Sequence, residues 1–381
     1  MHRRLAVFGV GLVSLSVLFP ATTNAVDVYT DPVGFITLNI KGTNGLTAGT
    51  SSALSYLGLG MTQLVVKPGR ITSVATNELV DANASWSDDQ YNGANGPHFI
   101  EITSGPLAGT IDDIVKTVAA TKKIYTANDL ASLGVGNISN QTYRIRKHWT
   151  LGSLFGPANE AGLLGGGSAA TADNVLTFDP LSQKFTTYYY KNTGFGGTGW
   201  RVSTNAGTDA SGTILDIDRG FIVKRRTGSD LSLKLLGQVK LGQTYIPIET
   251  NNNITANVYA SNLTLTNSQL YTGNSATGLA GGGSAASADN VLIFDVASQK
   301  YVTYYYKTGG FGGTGWRTST NASVDVGSVP LPLGQSFLIK RNHRLADGYA
   351  GALQTRGEII DHVCIDHKLS VAELLHQHSA H

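Results

Sequence analysis

The sequence contains one cysteine, Cys364, so no disulfide can form within the chain and an exported fold must depend on core burial. Charged residues are also scarce, at 14% of the 381 residues. Once Arg3 and Arg4 leave with a cleaved leader, 26 basic residues balance 26 acidic ones. A nucleic-acid partner normally requires a basic excess, so none is predicted. After residue 25 the chain lacks an apolar run of about 18 residues, which predicts no transmembrane segment.

The first 25 residues have the pattern of an export signal. Arg3 and Arg4 form a basic start, residues 5–19 are uncharged and apolar, and the small residue Ala25 offers a cleavage point before Val26. A retained N-terminal anchor is the alternative interpretation. The sequence therefore predicts an exported protein that resides in the periplasm, at the outer surface or outside the cell.

Catalytic signatures are missing as well. The chain has no Gly-x-Ser-x-Gly, no His-Glu-x-x-His, no phosphate loop and no cysteine pair. Asp88-Asp89 and Asp112-Asp113 are adjacent carboxylates, and neighbours on a strand point to opposite faces, so neither pair can flank one substrate. We predict a non-enzyme without cofactor. A secreted hydrolase that uses these carboxylates and Glu101 stays open as a third class of function.

A long internal repeat dominates what the sequence does contain. Residues 165–205 and 281–321 are identical at 32 of 41 positions without a gap, and the register continues from Phe221-Ile-Val-Lys-Arg to Phe337-Leu-Ile-Lys-Arg. A repeat of this length indicates two copies of one folding unit. Short strand-like segments with glycine-rich turns, and no helical periodicity between them, favour antiparallel β-sheets.

The predicted fold class is mainly all-β, with tandem antiparallel β-sandwich-like or small-barrel modules and a short helical C-terminal tail. The division of the chain follows the repeat, and it reads: signal peptide 1–25, N-terminal β-rich domain 26–141, first module 142–240, second module 241–341 and atypical tail 342–381. The tail holds six of the nine histidines, and residues 361–376 have the pattern of an amphipathic helix. A changed reading frame near residue 342 is the alternative explanation of this tail.

Two weak metal patterns occur, and neither predicts a site. Asp216-x-Asp218-x-Gly220 resembles the alternating oxygen ligands of a calcium loop, but the second module has Pro332, Gly334 and Ser336 there. The tail histidines and Cys364 have spacings that suit zinc or nickel and are interpreted as incidental. The sequence thus predicts no metal ligands.

Side-chain alternation in the duplicated hairpin suggests which residues meet a ligand. Leu176, Phe178, Tyr188 and Tyr190 are assigned to one core face, so Tyr189 and Lys191 are expected on a wetter face. Flat aromatic rings beside polar groups suit sugar rings. The candidate ligand-binding residues are Tyr189, Lys191, Trp200, Tyr305, Lys307 and Trp316, and an aromatic β-core is the competing interpretation.

The modules also resemble an uncharacterised family of exported bacterial proteins. The resemblance rests on YRIRKHWTLGSLFG at 143–156, the Ala-Asp-Asn-Val-Leu and Thr-Tyr-Tyr-Tyr strands, Gly-Trp-Arg, and the Phe-x-x-Lys-Arg strand. Val33-Gly34-Phe35 and the segment at 98–106 are similar too, so the likeness covers about residues 26–341. It implies export and a β architecture, and it supplies no active site.

These observations favour an exported, non-enzymatic structural or adhesion protein of the cell surface or extracellular matrix. Self-assembly is a natural variant, because edge strands rich in Tyr, Thr and Asn can add to one another. The alternative is a pair of carbohydrate-binding modules that use exposed tyrosines, for which two linked weak sites gain affinity. The expected partners are thus a polysaccharide or a second copy of the chain.

Overall fold

A computed structural model describes residues 32–132, 138–194, 196–275 and 277–342, and a short strand at 362–365. The predicted signal peptide lies outside the described residues. The strands in chain order are β1 Val33–Ile40, β2 Ala53–Leu57, β3 Val65–Arg70, β4 Ser73–Ala75, β5 Glu78–Val80, β6 His98–Ile102, β7 Ile111–Val118, β8 Lys123–Thr126, β9 Thr142–Lys147, β10 Trp149–Thr150, β11 Asn174–Asp179, β12 Lys184–Lys191 and β13 Gly199–Val202.

The second half continues with β14 Asn205–Asp209, β15 Ile214–Leu215, β16 Phe221–Arg225, β17 Leu231–Gln238, β18 Thr244–Pro247, β19 Asn251–Ala256, β20 Leu263–Thr264, β21 Asn290–Asp295, β22 Lys300–Lys307, β23 Gly315–Thr318, β24 Pro330–Leu331, β25 Ser336–Arg341 and β26 His362–Ile365. The helical elements are α1 Leu151–Phe155 and 3-10 turns at Gly93–Asn95 and Leu130–Ser132. The prediction of an all-β fold is confirmed.

Three larger antiparallel sheets form the described structure. The first module has the order β14-β13-β12-β11-β16-β2, and the second has β19-β25-β21-β22-β23. The third sheet has seven strands in the order β3-β9-β6-β7-β8-β5-β4. The two module sheets therefore repeat one topology, in which a hairpin lies between a third strand on one side and the Phe-x-x-Lys-Arg strand on the other.

The structural repeat extends further upstream than sequence identity shows. Strand β2 pairs with β16 in the way that β19 pairs with β25, so Leu54 and Asn252 occupy equivalent positions opposite Lys224 and Lys340. In the second module residues 257–262 connect β19 directly to β20. In the first module the seven-stranded sheet lies between β2 and β10. That sheet is thus an insertion in the first repeat.

A reciprocal pair of hydrogen bonds marks the same hidden extension of the repeat. Thr150 caps α1, its hydroxyl accepting from the Ser153 amide at 3.2 Å while the Ser153 hydroxyl accepts from the Thr150 amide at 2.7 Å. Thr264 and Asn267 exchange the equivalent bonds at 2.6 and 3.3 Å. Such mutual capping satisfies backbone donors that a helical turn leaves free. Both modules therefore keep this turn despite different sequences.

The structure confirms one part of the predicted face assignment in the hairpin and corrects the other. Leu176 and Phe178 do share a face, but the register puts Val175 opposite Tyr188, so Tyr188 and Tyr190 lie on the other face. The cause is the four-residue turn between Asp179 and Lys184. It places odd-numbered residues of β11 opposite even-numbered residues of β12, so residues of the same parity lie on opposite faces of the hairpin. The predicted Leu/Phe/Tyr/Tyr core face is therefore wrong.

Both faces of each module sheet are covered. Val175, Trp200 and Val223 of the first module pack beneath the buried face of the β1–β17 ribbon, which supplies Leu38 and Leu235. The opposite face packs on the second module through an apolar layer of buried Tyr56, Ile222, Ile254 and Phe294, with Leu54, Leu176, Phe178, Val296 and Leu338 packed against them. The two module sheets are consequently stacked face to face.

A pseudo-two-fold exchange of contacts links the modules. Gln183, in the hairpin turn of the first module, donates to the Asn252 carbonyl at 2.9 Å and accepts from its amide at 3.1 Å. Gln299, in the same turn of the second module, makes the same pair with Leu54, at 3.0 and 2.7 Å. Each turn therefore clasps the edge strand of the other module.

The tail differs from its prediction in the part that is described. Residues 362–365 form β26, which pairs antiparallel with β18, so the predicted helix is wrong there. Val363 and Ile365 are β-branched and favour a strand, and β18 offers them a free edge. The rest of the predicted helix lies outside the described residues.

Candidate functional site

The six residues predicted to bind a ligand are buried. Tyr189 and Tyr305 are each 2% exposed, and Trp200 and Trp316 are 0% and 3% exposed. The expectation that the two tyrosines lie on a wetter face is therefore wrong. In the sheet they lie opposite the buried Arg201 and Arg317, a neighbourhood that sequence alternation within one hairpin does not reveal. No ring of these four offers a free face to a sugar.

The tryptophans hold the core together. The Trp200 indole donates to the Gly156 carbonyl at 2.9 Å, and its ring lies 5.7 Å from both Phe155 and Tyr190. Trp316 repeats the edge-to-face contact with Tyr306, also at 5.7 Å. Such aromatic pairs add to the burial of apolar area. The competing interpretation of an aromatic β-core fits these four rings.

The two lysines, with the arginines that follow the tryptophans, support the glycine-rich loops. Lys307 donates to the carbonyls of Phe311 and Ala322. Arg317 donates to those of Gly312 and Thr314, at 2.7 and 3.1 Å. Arg201 makes the equivalent bonds to Gly196 and Thr198 in the first module, and Lys191 is 5% exposed. Lys307 and the two arginines thus satisfy loop carbonyls that burial would otherwise leave without donors.

A different set of titratable residues converges where the inserted sheet meets the first module. Asp113 lies on β7 of the inserted sheet, His148 lies between β9 and β10, and Asp216 lies between β15 and β16. The His148 ring has Nε2 at 2.9 Å from Asp113 Oδ1 and Nδ1 at 3.8 Å from Asp216 Oδ1. One oxygen or nitrogen from each residue lies within 4.8 Å of the others. The junction between insertion and first module thus gathers two carboxylates around one imidazole.

The imidazole is fixed in place by its surroundings. Its side chain is 4% exposed and packs at 4.8 Å on the Phe99 ring. The His148 amide donates to the Pro97 carbonyl at 2.9 Å, and its carbonyl accepts from Gln63 at 2.8 Å. The carboxylates are more open, since Asp113 and Asp216 keep 48% and 34% of their side chains exposed. The cluster is therefore reachable from solvent on its carboxylate side.

Negative charge accumulates at this junction. Burial and the neighbouring Asp216 charge raise the pKa of Asp218 to about 6. Arg219 Nε lies 3.8 Å from Asp216 Oδ2 and is 41% exposed. One exposed guanidinium and one imidazole thus face three carboxyl groups.

The sequence missed this cluster because its members are far apart in the chain. Asp112 and Asp113 do point apart, as predicted: Asp112 accepts from Asn128 at 2.8 Å, and Asp113 meets His148. The sequence shows the Asp216-x-Asp218 pattern, but the absence of that pattern from the second module argues against a calcium loop. That absence was the useful signal, since residues that the module does not require are free to serve another purpose.

Comparison with known proteins gives no relative: no protein-family model matches the chain, and neither does a curated protein or a solved structure. The resemblance to exported bacterial proteins therefore stays an expectation. Within the described part of the chain, every helix is too short or too polar to cross a membrane.

Proposed function

We propose that the protein is an exported, non-enzymatic structural or adhesion protein that works by association of its β modules, at the cell surface or in an extracellular matrix. The observation that carries this proposal is the outer face of the β1–β17 ribbon. There Phe35 and Leu236 are directly opposite each other and are 63% and 70% exposed. Paired, exposed apolar side chains on a two-stranded ribbon are costly in water unless a partner covers them.

The surroundings of this pair support association. Val33 is exposed on the same strand, and Leu64 and Val66 are exposed just after Thr62, which bridges to Gln238 of β17. Among the described strands, β1 pairs only with β17, so its outer edge has backbone groups free to pair. Two such edges can pair antiparallel about a two-fold axis. A second copy of the chain is therefore the proposed first partner.

Sedimentation velocity over a range of protein concentrations tests this association. The wild-type protein is expected to self-associate, and Phe35→Ser with Leu236→Ser to weaken the dissociation constant at least tenfold, about 1.4 kcal/mol. Leu181→Ser is the matched control, since Leu181 is equally exposed but lies in a hairpin turn. A wild-type protein that stays monomeric at high concentration would contradict the proposal.

Carbohydrate binding is the second possibility to test, by affinity electrophoresis against soluble polysaccharides. The burial of the six predicted residues gives it no support. Retardation by a glycan that is lost on replacing Tyr189 and Tyr305 by alanine, with the fold retained, would favour binding modules over a structural protein.

A further inference from the structure

The geometry points to a divalent metal site at the junction between the inserted sheet and the first module, in which His148 Nδ1 and Asp216 bind a cation of the Zn²⁺ type and Asp113 orients the imidazole. The site goes beyond the proposed structural function and does not depend on it. The residues come from three separate segments, which the fold alone brings together.

The first step concerns the proton on the imidazole. Nε2 lies at hydrogen-bond distance, 2.9 Å, from Asp113 Oδ1, so Nε2–H donates to that carboxylate. With that proton on Nε2, the neutral form of the ring has its lone pair on Nδ1, the atom that faces Asp216 Oδ1. Metal-binding histidines characteristically donate their other ring N–H to a carboxylate, which fixes the tautomer and the ring orientation.

The second step concerns the gap on the other side of the ring. Nδ1 and Asp216 Oδ1 are 3.8 Å apart, which is too long for a hydrogen bond. Two ligand atoms bound at about 2.1 Å to one cation are about 3.4 Å apart when the angle at the metal is tetrahedral. They are about 3.8 Å apart when that angle opens to about 130°. A lone pair and a carboxylate oxygen at this separation repel each other unless a positive charge lies between them.

The third step uses the second module as an internal comparison. Its residues at the positions of Asp216 and Asp218 are Pro332 and Gly334. The backbone bond is nevertheless the same, since the Asp218 carbonyl accepts from Ala256 at 3.2 Å and the Gly334 carbonyl accepts from Gly58 at 3.1 Å. The carboxylates are therefore not required by the module fold. They occur only where the inserted sheet supplies an imidazole.

The ligand chemistry selects the class of cation. One imidazole with carboxylates suits Zn²⁺ and neighbouring transition ions better than Ca²⁺, which prefers six or more oxygens. The bound ion would tie His148, in the link between β9 and β10, to Asp216, in the link between β15 and β16. Binding to the folded state alone raises the stability of that state.

Isothermal titration of the full-length protein with ZnCl₂ tests the site. We expect His148→Gln and Asp216→Asn to bind one equivalent fewer than wild type, and Asp113→Asn to keep the stoichiometry with an affinity 10–100-fold weaker. Zinc bound elsewhere, including by histidines of the tail, is common to all variants and cancels in the difference. His98→Gln is the control, because this buried histidine contacts the Gly96 carbonyl and lies outside the cluster.

Thermal melting without metal first checks that each variant folds. If Asp216→Asn does not fold, Asp216→Pro, which copies the residue of the second module, replaces it in the titration. Anomalous diffraction from crystals grown with zinc should place the ion between His148 and Asp216. Equal zinc stoichiometry in wild type, His148→Gln and Asp216→Asn would overturn the proposal. So would a His148 ring that carries two protons at neutral pH with zinc present, because an imidazolium bridging two carboxylates leaves no ligand for a metal.

Discussion

The reciprocal clasp between the modules gives the sharpest test of the fold. Gln183 and Gln299 each bond both backbone groups of one residue on the other module's edge strand. Both glutamines have left-handed backbone, with φ of 56° and 55°. Replacement by alanine keeps the same backbone requirement, so the change removes only the side-chain contacts.

The expected loss follows from the bonds removed. Each substitution deletes two bonds between modules, and each bond contributes about 0.5–1.5 kcal/mol net, so a single variant should lose about 1–3 kcal/mol. The third bond of each amide, to Pro180 or Val296 within its own turn, adds to this loss. The double variant should lose about twice as much where the two sites act independently.

Urea unfolding followed by tryptophan fluorescence measures this loss, because Trp200 and Trp316 report on different modules. Gln269→Ala is the matched control: Gln269 is exposed, has φ of 59° and makes no hydrogen bond with another described residue. It should change the free energy of unfolding by less than about 0.5 kcal/mol. Gln183→Asn tolerates the left-handed backbone but is too short to reach Asn252, so it should resemble Gln183→Ala.

Two outcomes would refute this reasoning. One is that Gln183→Ala and Gln299→Ala unfold at the same urea concentration as the Gln269→Ala control. The other is that only one of them is destabilised, since the pseudo-two-fold exchange requires comparable effects from both. A double variant in which the two modules unfold in separate transitions would support the clasp, because it shows that the modules have lost their coupling.

Two further predictions concern other buried contacts. Although burial raises the pKa of Glu101, its ion pairs with Lys240 at 2.7 Å and with Arg146 lower it below its ordinary value overall. Glu101→Gln should therefore cost about 3–5 kcal/mol at pH 7, and the difference from wild type should shrink as pH falls below about 4.3, as urea titrations at pH 7 and pH 3 would reveal. Gly220→Ala would bring a Cβ atom to within 2.1 Å of Ser336 Cβ, so it should lower the free energy of unfolding by about 1–3 kcal/mol. Thermal melting measures this loss, and an unchanged melting temperature would show that the two modules can separate at this point.

The sequence predicted the β class, the repeat and the hairpins, because these depend on alternation and turn residues that lie close together in the chain. It failed where distant segments decide the outcome. Tyr189 alternates correctly within its strand, but alternation does not show that it is buried, at 2% exposed, between Asn174 and Arg201 of the neighbouring strands. The sequence does not reveal the start of the first repeat, because β2 carries Leu54 where β19 carries Asn252. Only the pairing of β2 with β16 and of β19 with the equivalent strand β25 shows that the two positions correspond.

The same comparison explains why the metal site was not predicted. The modules share their paired strands and buried aromatics, so a comparison of the two copies identifies what the fold needs. Gly58 and Gly220 illustrate this. Each lies directly against the equivalent residue of the other module, Ala256 and Ser336 respectively, and a second Cβ has no room there. Asp216 has no such packing reason, and its equivalent is Pro332. Differences between copies, where the insertion meets one module only, therefore indicate function better in this chain than the identities that first attract attention.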